Sequence, residues 1–227
     1  MGLLDSENIS PIEAAKLAAT VEKCGAKAIL VGGSTAIDQI ELDAVVKEIK
    51  GSVTSPVILF PGNVTGVAPS ADAIFFSCLM NSDNPYFITQ AQALGALAIR
   101  KYNLETLPMA YIIIGDGGAA GFVGRARGIP PNKASLAAMY ALAAQYFGMR
   151  FVYLEAGSGA DGRVSQQVIA TVRKVYDGIL IVGGGIKSPE DARAAAKAGA
   201  DIIVIGTMLE MEGFASILSD ICKVVSS

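Results

Sequence analysis

The sequence predicts a single (β/α)8 barrel. Apolar runs that suit buried strands alternate with segments of helical periodicity along all 227 residues, which is a length typical of one such barrel. The last three apolar runs are each followed directly by a glycine-containing loop. No linker or low-complexity segment interrupts the alternation. We therefore interpret residues 1–227 as one domain.

Seven apolar runs are the candidate internal strands. They are continuous rather than alternating, as expected when both faces of a parallel sheet are buried. The opening residues, Gly2–Asp5, have the pattern of the end of a further strand. The seven internal runs are Ala28–Val31, Val57–Phe60, Ala73–Phe76, Met109–Ile114, Phe151–Leu154, Ile179–Val182 and Ile202–Ile205.

Helical patterns fill the intervals between these strands. Ser10 and Ser188 each precede a proline and stand three residues before an acidic residue, which is a signal for a helix start. Apolar stripes of the kind that helices bury recur at helical spacing. One stripe comprises Ala14, Leu17, Ala18 and Val21, and another comprises Leu136, Met139, Tyr140, Ala143 and Phe147.

Two segments break the alternation. Pro61–Ser70 contains two prolines and two glycines, so it predicts that the third barrel helix is missing and leaves a groove in the outer ring. Gly115–Pro130 carries six glycines before its closing proline and is interpreted as a long functional loop, with a plain surface excursion as the alternative. The apolar segment Tyr86–Leu97 fits core packing, or a contact between subunits.

Composition limits the function classes. A net charge of −3 gives no general attraction to nucleic acid, and no apolar run is long enough for a transmembrane helix. The first residues lack a signal-peptide pattern, and three scattered cysteines fit reduced thiols, so we expect a cytoplasmic protein. The sequence contains no histidine, which excludes histidine-based catalysis and favours oxygen-bound Mg²⁺ over Zn²⁺.

Three glycine-containing loops point to phosphate binding. Gly183-Gly184 and Gly206-Thr207 follow the last two strands, where many barrels hold a substrate phosphate with backbone amides. Gly157-Ser158-Gly159 follows the preceding strand. Glycines that only permit tight turns are the alternative interpretation.

Carboxylates at the same ends of the strands are candidates for chemistry. Asp5 and Ser34 follow the first two strands and could hold Mg²⁺ together with substrate phosphates, although a helix cap and a turn would explain them equally well. Glu155 follows strand six. It could act as a general base, orient a hydroxyl, stabilise a developing cation, or serve as a structural acid.

The combined motifs resemble those of archaeal geranylgeranylglyceryl phosphate synthases, over essentially the whole chain. The motif Tyr153-Leu154-Glu155-Ala156-Gly157-Ser158-Gly159 is the most specific of them, and the others are Val31-Gly32-Gly33-Ser34, Gly183-Gly184-Gly185-Ile186-Lys187 and Gly206-Thr207. The resemblance implies a (β/α)8 prenyltransferase that joins sn-glycerol 1-phosphate to geranylgeranyl diphosphate with Mg²⁺. It also implies a homo-oligomer, because members of this family form dimers or hexamers.

The resemblance assigns roles to matching positions. Asp5 and Ser34 would hold Mg²⁺, and Tyr153 and Glu155 would be catalytic. The glycerol phosphate would be bound by Tyr153, Leu154, Glu155, Ala156, Gly157, Ser158, Gly159, Gly183, Gly184, Gly206 and Thr207. The chain departs from the family pattern at Asp5-Ser6-Glu7, where members read Asp-Pro-Asp. A second departure is Gly115-Asp116-Gly117-Gly118, where they read Asn-Pro-Gly-Gly or similar.

Three alternatives remain open at this point. A heptaprenylglyceryl phosphate synthase would share the fold and the acceptor but use a longer donor. A Schiff-base aldolase or a sugar-phosphate isomerase lacks support, because the internal strand runs contain no lysine and the chain contains no histidine. A non-catalytic barrel that only binds a phosphorylated ligand would not need carboxylates at its mouth.

Overall fold

A computed structural model describes residues 1–7, 9–33, 38–158 and 162–226. Eight parallel strands follow one another in chain order round a barrel, so the predicted fold is confirmed. The barrel closes between its last and first strands, because Leu3 donates to the Ile205 carbonyl at 2.7 Å and Ile205 donates to the Met1 carbonyl at 3.1 Å. The strands are β1 (Gly2–Asp5), β2 (Ile29–Gly33), β3 (Val57–Pro61), β4 (Ala73–Leu79), β5 (Glu105–Gly117), β6 (Phe151–Gly157), β7 (Ile179–Gly183) and β8 (Ile202–Ile203).

Helices surround the barrel. Ser10 forms the expected capping box with Glu13, and the Ser188 side chain accepts from the Asp191 amide, so both predicted helix starts are confirmed. No helix among the described residues has both the length and the hydrophobicity to cross a bilayer. The helices are α1 (Pro11–Lys23), α2 (Gln39–Ser52), α3 (Ala91–Tyr102), α4 (Gly118–Val123), α5 (Ala134–Tyr146), α6 (Gln166–Arg173), α7 (Pro189–Lys197) and α8 (Phe214–Ser226).

The core has two layers separated by the sheet. Inward-pointing strand residues such as Leu30, Phe75 and Tyr153 fill the barrel, while Leu154 and Val152 pack between the sheet and the helices. Because successive side chains of a strand point to opposite faces, Glu155 lies on the same inner side as Tyr153. Strand periodicity thus sets which side chains can reach the mouth of the barrel.

The third barrel helix is absent, as the sequence predicts. Residues 62–72 contain no helix and connect β3 to β4 through turns. Asn63 organises the first turn, since its side-chain oxygen accepts from the Thr65 amide at 2.8 Å. Val67 and Ala68 are buried, so the segment packs on the barrel but leaves the space of a helix open beside α3.

Three of the five residues in the apolar stripe predicted for α5, Leu136, Met139 and Phe147, are exposed, which corrects its interpretation as a buried face; Tyr140 packs partly against the core. The buried side of this helix consists of small residues: Ala134, Ala137, Ala138, Ala141 and Ala144. Met139 and Phe147 of the predicted stripe are 66% and 73% exposed. The helix is apolar all round, so periodicity alone could not distinguish its two faces.

Two further expectations are wrong in part. Gly115–Pro130 is not one long loop, because β5 continues to Gly117 and α4 follows at once. The segment Tyr86–Leu97 is not simply core, since Leu94 and Leu97 of α3 are 69% and 78% exposed. It consists of a π-helical turn, Tyr86–Gln90, that leads into α3.

Candidate active site

A cavity of about 410 Å³ opens at the carboxyl ends of the strands. Its volume is within the usual range for small-molecule sites. One end is polar and includes Ser158 and Thr207 from the loops after β6 and β8. The other end extends into the space of the missing helix and is apolar, with Val64, Val67, Ile74, Phe87, Gly95 and Ile99 on its walls.

Glu155 lies on the cavity wall between these two ends. Its side chain is 6% exposed, and burial raises the pKa of its carboxyl group. Three donors oppose this shift by stabilising the ionised form: the Gly157 amide, at 2.7 Å from Oε1, and the hydroxyls of Tyr153 and Tyr111. The site therefore holds a carboxylate in a fixed orientation with a pKa above that of an ordinary glutamate.

Tyr111 is a site residue that the sequence analysis missed. It stands directly opposite Tyr153 in the β5–β6 register, and their ring centroids are 5.2 Å apart. Tyr111 lines the cavity, whereas Tyr153 is 1% exposed and is not among the described lining residues. The structure thus places Tyr153 behind Glu155 as a support, and Tyr111 as the tyrosine that faces the cavity.

Phe60 completes an aromatic wall beneath the cavity. Its ring meets those of Tyr111 and Tyr153 edge to face, with centroids 5.3 and 5.5 Å apart. Phe75 packs against Phe60 in the same way at 5.6 Å. These rings pack edge to face and close the barrel interior below the cavity.

The glycine loops after β6 and β7 approach each other closely beside Glu155. Gly184 adopts φ +80°, and a Cβ atom there would collide with Glu155 Oε1 and lie 2.8 Å from the Gly157 amide nitrogen. Gly183 leaves room for the Tyr153 hydroxyl, which a Cβ atom would overlap. These glycines are required for close approach of the loops after β6 and β7 and for the orientation of Glu155.

A hydrogen bond joins the loops after β6 and β8. Ser158 Oγ lies 2.9 Å from Thr207 Oγ1, and Gly206 precedes a short 3₁₀ turn, Thr207–Glu210. Backbone amides and hydroxyls at this end provide neutral donors for a phosphate. Gly159 lies outside the described residues.

The other predicted residues are placed as follows. Asp5 ends β1 on the cavity wall, where burial raises the pKa of its carboxyl. The Glu7 amide, which donates to Asp5 at 3.0 Å, opposes this shift, and the charge of the Glu7 side chain adds to it. Ser34 lies outside the described residues. Leu154 and Ala156 are buried in the layer between sheet and helices, so their side chains face away from the cavity.

The cavity is acidic. Four carboxylates lie on its wall, those of Asp5, Glu7, Glu155 and Glu210, and no lysine or arginine is among the described lining residues. The positions outside the described ranges contain no basic residue either. This wall therefore opposes the binding of an anion beside its carboxylates.

Comparison with known proteins identifies the family. Residues 1–225 match the model of the PcrB family. The chain belongs to this family. It is 62% identical to the geranylgeranylglyceryl phosphate synthase of Nitrosopumilus maritimus, over 98% of this chain and 89% of that protein. It is 56% identical to the same enzyme of Pyrococcus furiosus, over 93% and 84% of the two chains.

A solved structure agrees with the sequence relatives. The crystal structure of (S)-3-O-geranylgeranylglyceryl phosphate synthase from Thermoplasma acidophilum, in complex with its substrate sn-glycerol-1-phosphate, superposes with a TM-score of 0.96. The identity is 41%, and the match covers 99% of this chain and 92% of that one. The resemblance noted from the motifs is therefore confirmed.

The hydrogen bonds to Glu155 predict how its pKa responds to substitution. Tyr111→Phe removes one donor to the carboxylate, so the pKa of Glu155 should rise. A pH titration of the Glu155 carboxyl by difference infrared spectroscopy, with Glu155→Gln to assign the signal, measures this. Tyr176→Phe is the matched control, because it removes a tyrosine hydroxyl that donates to the Met149 carbonyl, in a residue outside the cavity wall. An unchanged titration in Tyr111→Phe would mean that this hydroxyl does not contact the carboxylate.

Proposed function

We propose that the protein joins sn-glycerol 1-phosphate to geranylgeranyl diphosphate, forming an ether bond and releasing pyrophosphate. The observation that carries the proposal is a cavity that connects a neutral, phosphate-suited end to an apolar groove, with Glu155 at the junction. Membership of the PcrB family supports the same assignment, as does the sn-glycerol-1-phosphate bound to the Thermoplasma acidophilum enzyme.

The acceptor would lie at the polar end. Its phosphate would be held by the loops of Gly157-Ser158, Gly184 and Gly206-Thr207, whose donors are all uncharged. This places the glycerol hydroxyl toward Glu155. The carboxylate, oriented by Tyr111 and Tyr153, can hydrogen-bond that hydroxyl and take its proton.

The donor tail would lie in the apolar groove beside α3. Val64 and Val67 come from the segment that replaces the third helix, and Gly95 and Ile99 come from the inner face of α3. Each buried methylene contributes about 0.8 kcal/mol, so a long isoprenoid gains substantial binding energy here. The apolar walls also exclude water, which would otherwise capture the allylic cation as an alcohol.

The bond changes follow from this arrangement. The allylic C–O bond breaks and its electron pair leaves with pyrophosphate. The glycerol oxygen then forms the new C–O bond, and its proton passes to Glu155. Tyr111 and Phe60 present ring faces near the developing positive charge.

We further propose Mg²⁺ as the cofactor, with Asp5 as a ligand and Ser34 as the second residue that the motif resemblance implies. Among the described residues no three His, Cys, Asp or Glu side chains gather into a metal-binding group. A site with few protein ligands fits Mg²⁺, which retains water and binds substrate phosphates. When bound, the ion would offset the charge of the leaving diphosphate as a Lewis acid. The acidic wall fits this requirement, since two like charges 4 Å apart repel by about 4 kcal/mol in such surroundings.

We also propose a homo-oligomer that uses the outer face of α5. Met139, Tyr146 and Phe147 are 66%, 78% and 73% exposed there. The helix contains no charged residue, so a second copy can pack against it across a twofold axis without like-charge repulsion. Exposed apolar surface of this kind usually marks a protein interface.

The first test of the function is product formation with Glu155→Gln. The variant retains the shape of the side chain but loses the charge that accepts the proton, so turnover should fall by about 10²–10⁴-fold. The assay measures organic-soluble product from labelled prenyl diphosphates of several chain lengths with each enantiomer of glycerol phosphate. Glycerol phosphate binding should change by less than roughly tenfold, because its phosphate contacts are retained.

Glu190→Gln, at the exposed start of α7, is the control. Near-normal turnover in Glu155→Gln would contradict a catalytic role and would mean that Glu155 is a structural acid.

The second test separates the two substrates by their need for metal. In the proposal, glycerol phosphate is bound by uncharged hydrogen-bond donors. The prenyl diphosphate, by contrast, must approach the carboxylates of Asp5 and Glu7. Calorimetric titration with EDTA, or of Asp5→Ala, should therefore show acceptor binding that persists and donor binding that weakens at least tenfold. Asp220→Ala on α8 is the control for loss of a surface charge. If chelation abolished acceptor binding and spared donor binding, the assignment of Asp5 would be wrong.

A further inference from the structure

The outer face of α3 combines exposed leucines with basic residues. Leu94, Leu97 and Lys101 fall at i, i+3 and i+7 and so share one side of the helix. The two leucines are 69% and 78% exposed. Arg100 and Lys101 are exposed in the last turn, and the helix contains no acidic residue.

The inner face of the same helix forms a wall of the cavity. Ala91, Gln92, Gly95 and Ile99 line the groove proposed for the prenyl tail. The exposed leucines are thus separated from that groove by the thickness of one helix.

A second helix that lines the cavity, α4, also combines an exposed apolar residue with a basic one. Ala119, Ala120 and Val123 of α4 line the cavity, while Phe122 of the same helix is 87% exposed. Arg125 follows it, and its carbonyl accepts from the Asp83 amide at 3.0 Å, close before the start of α3 in the chain. The salt bridges of the described residues include none of Arg100, Lys101 and Arg125.

We infer that these outer faces of α3 and α4 dock on an anionic lipid bilayer. Leucine and phenylalanine side chains would enter the interfacial region, and the three cations would lie at the level of the headgroups. The distribution of charge favours an anionic partner for this surface. The net charge of the whole chain is −3, whereas α3 carries two basic residues and no acidic one. The exposed face of α5 lacks such cations, which is why it fits a second copy instead.

The physiological purpose of this surface rests on the proposed function. The product would carry a polar phosphate at one end and a long isoprenoid at the other. If the protein docked with α3 against the bilayer, the isoprenoid chain of the product would travel a shorter distance through water to reach the lipid. The reaction class that supplies the donor is a chain-extending prenyl condensation, and its product is also amphiphilic.

Vesicle co-sedimentation tests the inference on the full chain without substrate, so the result does not depend on the proposed reaction. The wild-type protein should bind vesicles of equal parts phosphatidylglycerol and phosphatidylcholine, and bind pure phosphatidylcholine much more weakly. Arg100→Gln with Lys101→Gln should weaken binding by about fivefold for each cation removed. Leu94→Gln with Leu97→Gln should weaken it at least tenfold.

Matched controls distinguish lipid from protein partners. Met139→Gln with Phe147→Gln removes comparable exposed surface from α5; it should alter the oligomeric state in size-exclusion chromatography with light scattering and retain vesicle binding. Circular dichroism checks that each variant is folded, and Phe122→Gln offers a second site on α4. The inference would be overturned if the wild-type protein did not bind anionic vesicles, or if the α3 variants bound them as strongly as the wild type. So would α3 variants that dissociate an oligomer, because the face would then be a contact between copies.

Discussion

The site depends on holding one carboxyl group in a fixed orientation in a nearly dry position. Burial raises the pKa of Glu155, and hydrogen bonds from the Gly157 amide and two tyrosine hydroxyls offset part of that shift. Several features around it serve this arrangement. Gly184 needs its positive φ and its missing side chain to pass beside the carboxylate, and Gly183 leaves space for the Tyr153 hydroxyl. Both tyrosines have their pKa raised by burial and then by the charge of Glu155, so they remain protonated donors.

The cavity separates two ways of binding phosphate. At one end, glycine amides and the Ser158–Thr207 pair offer neutral donors that already match an anion. Beside Asp5 and Glu7, carboxylates on the wall repel an anion, so we propose that a diphosphate binds there together with a cation. In the proposed function, this difference would give each substrate its own position, with the reacting groups at Glu155. The space left by the missing third helix forms the apolar end of the cavity, which a packed helix would fill.

Much of this was predictable from sequence, and the failures have physical causes. Continuous apolar runs identified the strands, and the prolines and glycines of residues 61–70 identified the missing helix. The loops after β6, β7 and β8 could be located because each contains glycine and follows a continuous apolar run. The α5 face was misjudged because alanine is small enough to pack on the barrel, which leaves the larger Met139 and Phe147 outside. Tyr111 was missed because it sits within an apolar run, and only the β5–β6 register shows that it lies beside Tyr153, from where its hydroxyl reaches Glu155.

The most direct test of the account is a crystal structure of the protein with sn-glycerol 1-phosphate and an unreactive thiolo analogue of geranylgeranyl diphosphate. The account predicts the acceptor phosphate between the loops of Gly184 and Thr207, with the reacting hydroxyl about 2.6–3.2 Å from the Glu155 carboxylate. The tail should lie between residues 61–70 and α3, and the allylic carbon about 3–3.5 Å from that hydroxyl. A tail along the barrel axis, or an acceptor hydroxyl directed to a carboxylate other than Glu155, would contradict it.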